Sequence, residues 1–180
     1  MRRTLLPIAL AAAFGAADQF LGARAWVVGS WAIDASLLSA PWLLIAFLAG
    51  CSQATVRRAV ILGFVCTIAA LVGYAAMTLS PIEGATVTLR GVRGLLVGQT
   101  AYAVGAVLTD PLFGWLGYRW RTRRDWMSAL VAALVVCCEP LAHAAVGTAV
   151  SFRGVWAAEV VVGFAIALYA IAATRRRTPG

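Results

Sequence analysis

Lysine is absent from this 180-residue chain, and charge of any kind is scarce: 15 basic and 7 acidic residues make up 12% of it, against 62% hydrophobic residues. A soluble domain carries roughly 25% charged residues. Half the charge needed to wet a surface is therefore missing, and the solvent this chain expects is lipid. Its mean hydropathy of +0.88 agrees. The four cysteines, Cys51, Cys66, Cys137 and Cys138, fall inside apolar runs at spacings unlike a zinc or disulfide framework, so neither a metal nor a cofactor is expected. No G-x-x-x-x-G-K-[ST] phosphate loop, H-E-x-x-H or G-x-S-x-G occurs, nor a pair of aspartate-rich diphosphate-metal motifs. Lack of a nucleotide site argues against a self-sufficient pump, and no internal repeat of the transporter kind is visible.

What remains is arginine and long apolar runs. A net charge of +8 would suit nucleic-acid binding, but the arginines sit at the ends of apolar segments. That placement fits membrane topology and contact with anionic lipid headgroups, with no nucleic-acid partner. The pattern predicts one all-α integral membrane domain of six helices, with spans at about 4–22, 37–56, 59–79, 94–116, 126–149 and 155–174. Ser36 or Ser39 is expected to cap the second span, with Pro41 in its first turns. Small-residue spacings at Ala9, Ala13 and Ala17, at Ala12 and Ala16, and along Gly94, Gly98, Ala101 and Gly105 predict close helix contacts. With both termini on one side, that side holds the arginines at 2, 3, 57, 58, 119, 121, 123, 124 and 175–177. The other holds Arg24, Arg90, Arg93 and Arg153, so the positive-inside rule puts both termini in the cytoplasm.

Ionisable residues inside such spans are expensive and mark candidate sites. Glu139, with Pro140 behind it and His143 one turn on, lies in the fifth span. At about 1.5 Å per residue it stands about 20 Å above Trp126 at the inner interface. Asp18 falls at a similar height, and Glu159 near the outer start of the last span. These four are expected to share the outer half of the bundle, as pairs that fix packing or as the lining of an outward-facing polar site. Trp42 and Trp156 are the tryptophans expected to face such a cavity. Asp110-Pro111 is expected lower, as a kink or helix end with a cytoplasmic-side polar contact.

The block Pro41-Trp42-Leu43-Leu44-Ile45-Ala46-Phe47-Leu48-Ala49-Gly50, preceded by Ser36 and Ser39, resembles the bacterial membrane family catalogued as domain-of-unknown-function family 6518. The likeness extends to Gly73-Tyr74, Gly114, the stretch Tyr118-Arg119-Trp120-Arg121-Thr122, Glu139 and Ala158-Glu159. It implies a multipass membrane protein and supplies no activity. A second, architectural resemblance is to the six-helix substrate-binding subunits of energy-coupling-factor vitamin transporters. Their first helix meets a partner subunit through A-x-x-x-A spacing, here Ala9-x-x-x-Ala13.

Three functions fit these residues. The first is a small-molecule binding or transport subunit, with energy from a partner membrane subunit. The second is an intramembrane enzyme whose buried acid, Glu139 or Asp110, protonates an isoprenoid-like substrate. The third is a structural protein without ligand, in which Glu139→Leu would leave the fold intact.

Overall fold

The computed structural model describes residues 2–84, 87–145, Gly147 and 152–175, and every regular element among them is helical. Eight α-helices follow in order: α1 (Arg2–Ala23), α2 (Ala25–Val28), α3 (Trp31–Ser36), α4 (Ala40–Cys51), α5 (Val56–Thr78), α6 (Leu89–Arg123), α7 (Trp126–Ala145) and α8 (Arg153–Arg175). A single 3-10 turn, Pro81–Glu83, lies between α5 and α6. By length and apolar character α1, α5, α7 and α8 are each able to cross a bilayer. α6 makes a fifth crossing if its two parts, bent by 47° between Thr100 and Tyr102, count as one span.

The fold is arranged for lipid. Twelve of the twenty buried hydrophobic residues are alanines, whereas Leu6, Leu10, Leu48, Val72, Leu108 and Leu168 are each more than half exposed. Hydrocarbon solvates leucine as well as a protein core does, so helix association rests on close contact between small residues. α1 meets α5 in this way. A Cβ on Gly15 would stand 1.8 Å from the Ala70 carbonyl oxygen, and one on Gly73 would stand 1.9 Å from that of Ala12. On the far side of α5, Gly50 of α4 lies against the backbone of Gly114 in α6, and Gly117 against that of Phe47. The pair α7 and α8 closes around Gly163, set against Cys137 and the Ala133 carbonyl.

Several expectations are revised. The second span is not one 20-residue helix. It is α4, twelve residues long and about 18 Å at 1.5 Å per residue, preceded by a break at 37–39 and the short α3. Continuing α3 into α4 would press the Pro41 ring against the Leu37 carbonyl, four residues back. Neither serine caps α4 as expected: the Ser36 hydroxyl donates to the Ile33 carbonyl at 2.9 Å, and that of Ser39 makes no capping bond. Pro111 neither ends nor sharply bends α6, which continues to Arg123. There the helix is clamped, with Gly114 against the Ala59 carbonyl of α5 and Gly117 against α4. The arginines at 119, 121 and 123 are therefore on a helical extension, where the Arg121 guanidinium donates to the Cys51 carbonyl at 2.9 Å and closes the end of α4. The ridge at Gly94, Gly98 and Gly105 makes no close contact, since a Cβ there would meet nothing within 4 Å. Part of the expected fifth span, 146 and 148–149, lies outside the described residues.

The two kinds of glycine predict opposite responses. Gly15→Leu or Gly73→Leu drives a side chain into a backbone carbonyl and is expected to cost more than about 3 kcal/mol, abolishing the native fold in detergent. Gly98→Ala enters open space in a helix and is expected to raise stability by about 0.5–1 kcal/mol. Thermal unfolding with tolerance of Gly15→Leu would refute the α1–α5 contact.

Candidate functional site

The break ahead of α4 places irregular backbone among the helices, where hydrocarbon offers no replacement hydrogen bonds. Such backbone persists only if its polar groups find protein partners. Here each donor has one. The Leu37 amide donates to the Ile33 carbonyl at 3.2 Å, and that of Leu38 to Ala35 at 3.4 Å. Ser39 N–H donates to Glu139 Oε1, and Ala40 N–H to Glu139 Oε2 at 2.6 Å. Pro41 has no N–H, and the amides of Trp42 and Leu43 donate to the Ser39 carbonyl at 3.1 and 3.3 Å.

Glu139 thus reaches across from α7 to cap α4, both carboxylate oxygens taken by amides at the positive end of a helix dipole. Asp34 does the same for α8. It is buried, and it accepts the Phe152 amide just ahead of that helix. Asp125 caps α7, accepting the Met127 amide at 3.2 Å and the Ser128 hydroxyl at 3.0 Å, and pairs with Arg119 at 2.6 Å.

Around Glu139 the remaining polar groups form a tight cluster. His143 Nε2 lies 3.5 Å from Glu139 Oε1, and its ring lies tilted against Trp156 with centroids 4.8 Å apart. Glu159, on α8, is also buried, and neither of its carboxyl oxygens has a hydrogen-bond partner among the described residues. Glu159 also lines a crevice of about 430 Å³ between α3–α4 and α8, apolar elsewhere, whose walls include Leu38, Ala40, Pro41 and Val136. Trp156 is not part of that lining.

The polar cavity lies elsewhere. About 400 Å³ in volume, it is enclosed by α1, α4, α5, α6 and the break, with Asp18, Ser36, Ser39, Trp42, Thr67, Tyr74, Gln99, Tyr102, Thr109 and Asp110 in its lining. Leu38 again forms part of the wall. Trp42 is held edge-on by Phe14, centroids 5.5 Å apart, and tilted against Tyr74 at 6.3 Å.

Asp110 is the buried acid of this cavity, 1% exposed, and its Oδ2 has no partner. Its other oxygen is 3.4 Å from the Thr109 hydroxyl, whose single hydrogen is better placed on the Gly105 carbonyl at 2.9 Å. Thr67 also approaches the carboxyl but lies 3.4 Å from the Gly63 carbonyl. Asp18, half-buried, has neither a hydrogen bond nor an ion pair among the described residues.

The structure therefore separates the four acids and the histidine differently from the sequence-based grouping. Glu139, His143 and Glu159 come together, Asp18 joins Asp110 in the cavity, and Trp42 stands with the latter pair. Sequence reasoning missed Thr67, Tyr74, Gln99, Tyr102 and Thr109 as cavity residues. It also did not single out Asp34, which lies within α3 and whose partner is far away in the chain.

Among known proteins, the chain matches no family model, no curated sequence and no solved structure. No group of three or more His, Cys, Asp or Glu side chains suited to a metal ion occurs among the described residues.

The cap makes Glu139→Leu a costly change even in a protein without ligand, contrary to the sequence-based expectation. The buried Ala40 amide would lose its acceptor, at about 1–3 kcal/mol, and the partly buried Ser39 amide would lose its own at a smaller cost. Glu139→Gln keeps one acceptor and is expected to fall between wild type and Glu139→Leu in thermal unfolding. Equal stability of all three would eliminate the capping role.

Proposed function

We propose that the protein is a six-pass membrane protein with both termini cytoplasmic, acting as a small-molecule binding or transport-related subunit, its site being the polar cavity around Asp18 and Asp110. The observation that carries this reading is the unpartnered Asp110 carboxylate oxygen, almost completely buried and in the wall of a roughly 400 Å³ cavity. Ligand pockets typically enclose about 300–1,000 Å³ with a few convergent polar groups. At about 30 Å³ per molecule this one has room for on the order of a dozen waters.

In this reading the sixth pass is the broken segment α3–α4. Discontinuous helices of this kind border the substrate sites of many transporters, where the ends of half-helices are exposed at mid-membrane. Membership in family 6518 is part of the proposal, and its distinctive block is α4, the helix whose start Glu139 holds. The arginine excess supports the orientation. Asp18, Tyr74 and Gln99 lie near the α1, α5 and α6 ends that would then face outward, so the cavity would open to the outside.

Accessibility tests this. A chain with its four native cysteines replaced by alanine, carrying Ser36→Cys or Thr109→Cys, is expected to react in right-side-out vesicles with membrane-impermeant methanethiosulfonates. Thiols react as thiolates, so modification requires water at the site. Reaction with neither an anionic nor a cationic reagent from the outside would defeat the proposal. A periplasmic-type reporter joined after Gly180 is expected to be silent and one inserted at Glu83 active; the reverse would invert the topology.

A further inference from the structure

We infer that the ligand of this cavity is an organic ammonium ion, held between the carboxylates of Asp18 and Asp110 and against the ring faces of Trp42, Tyr74 and Tyr102. The inference rests on the cavity being a ligand site and adds the chemistry of its occupant.

Charge is the first argument. Among the described residues the cavity wall contains two carboxyl groups and no arginine or histidine. Of the other acids, Glu139 and Asp34 are matched by backbone amides and Asp125 by Arg119, while Glu159, outside the cavity, has no donor among the described residues. Among the described residues Asp18 has no partner, and Asp110 has one long contact from the Thr109 hydroxyl to Oδ1 and nothing on Oδ2, although burying a carboxylate without a cation or sufficient hydrogen bonds is costly. The missing partner is a cation or a donor that enters from outside the chain.

The walls decide which cation. A bare metal ion asks for a close shell of oxygen or nitrogen ligands. This space is far larger than such a shell, and three aromatic side chains border it. Trp42 is fixed in place by Phe14 and Tyr74, so its ring is already oriented before a ligand arrives. Aromatic faces attract cations through their quadrupole, and quaternary or primary ammonium groups combine that charge with an apolar envelope. Gln99 and the hydroxyls of Ser36 and Thr109 add neutral hydrogen-bonding groups for the remainder of a small molecule.

Two measurements test this. With Ser36→Cys in the cysteine-free chain, the trimethylammonium-ethyl methanethiosulfonate is expected to react at least tenfold faster than the sulfonatoethyl reagent. Each rate is taken relative to a cysteine at exposed Ile82. Asp18→Asn together with Asp110→Asn is expected to remove that preference. Equal reaction by both reagents overturns the ammonium assignment and leaves a ligand cavity standing; reaction by neither removes the cavity reading as well. The native chain needs no substitution for the second measurement. Choline is expected to raise its thermal unfolding temperature, while 3,3-dimethyl-1-butanol, the neutral isostere, is not. A shift of equal size with the isostere, or no shift with either, overturns the inference.

Discussion

Two backbone amides at the start of α4 and one carboxylate from α7 decide how this bundle is put together. A helix that begins among packed apolar helices exposes N–H groups where few acceptors are at hand. Glu139 supplies the missing acceptors, and in doing so it is no longer an unpaired charge. Each partner answers the problem posed by the other, so break and acid are tolerated together where neither would be alone. Pro41 contributes by ruling out the continuous helix that would make the cap unnecessary. Asp34 repeats the arrangement for α8 and joins elements that lie more than a hundred residues apart in the chain.

With those ends fixed, the remaining cohesion comes from how closely backbones approach. Gly15 and Gly73 bring α1 and α5 into carbonyl contact, and Gly50, Gly114 and Gly117 do so for α4 and α6. Contact this close leaves little room for large side chains in the interior. They go outward to lipid, and alanine fills the seams. Where the break prevents α4 from continuing beside α1, α5 and α6, space remains and the polar cavity forms.

Much of this was legible in the residues and some was not. Apolar length and the scarcity of charge announce an all-helical membrane chain, and α1, α5, α7 and α8 lie within a few residues of their expected limits. The i,i+4 pair Glu139 and His143 was readable because it depends on helix periodicity alone. The partner of Glu139 was not, for it lies a hundred positions earlier on another helix. Small-residue spacing marked Gly94, Gly98 and Gly105 as strongly as any contact in the chain, yet the seams run through Gly15, Gly114 and Gly117. Spacing states that a face is small but not whether a neighbour reaches it. That Asp110 shares a cavity with Asp18 was not readable either, because it depends on how four helices and the break surround a common space.

Leu38 belongs to the walls of both the apolar crevice beside α8 and the polar cavity beside α1. The break is therefore a partition one residue thick, with Ser39 and Ala40 pinned behind it by Glu139. A partition cannot move toward one chamber without moving away from the other. The two volumes are consequently complementary, and whatever displaces Leu38 to widen the polar chamber draws its room from the oily one.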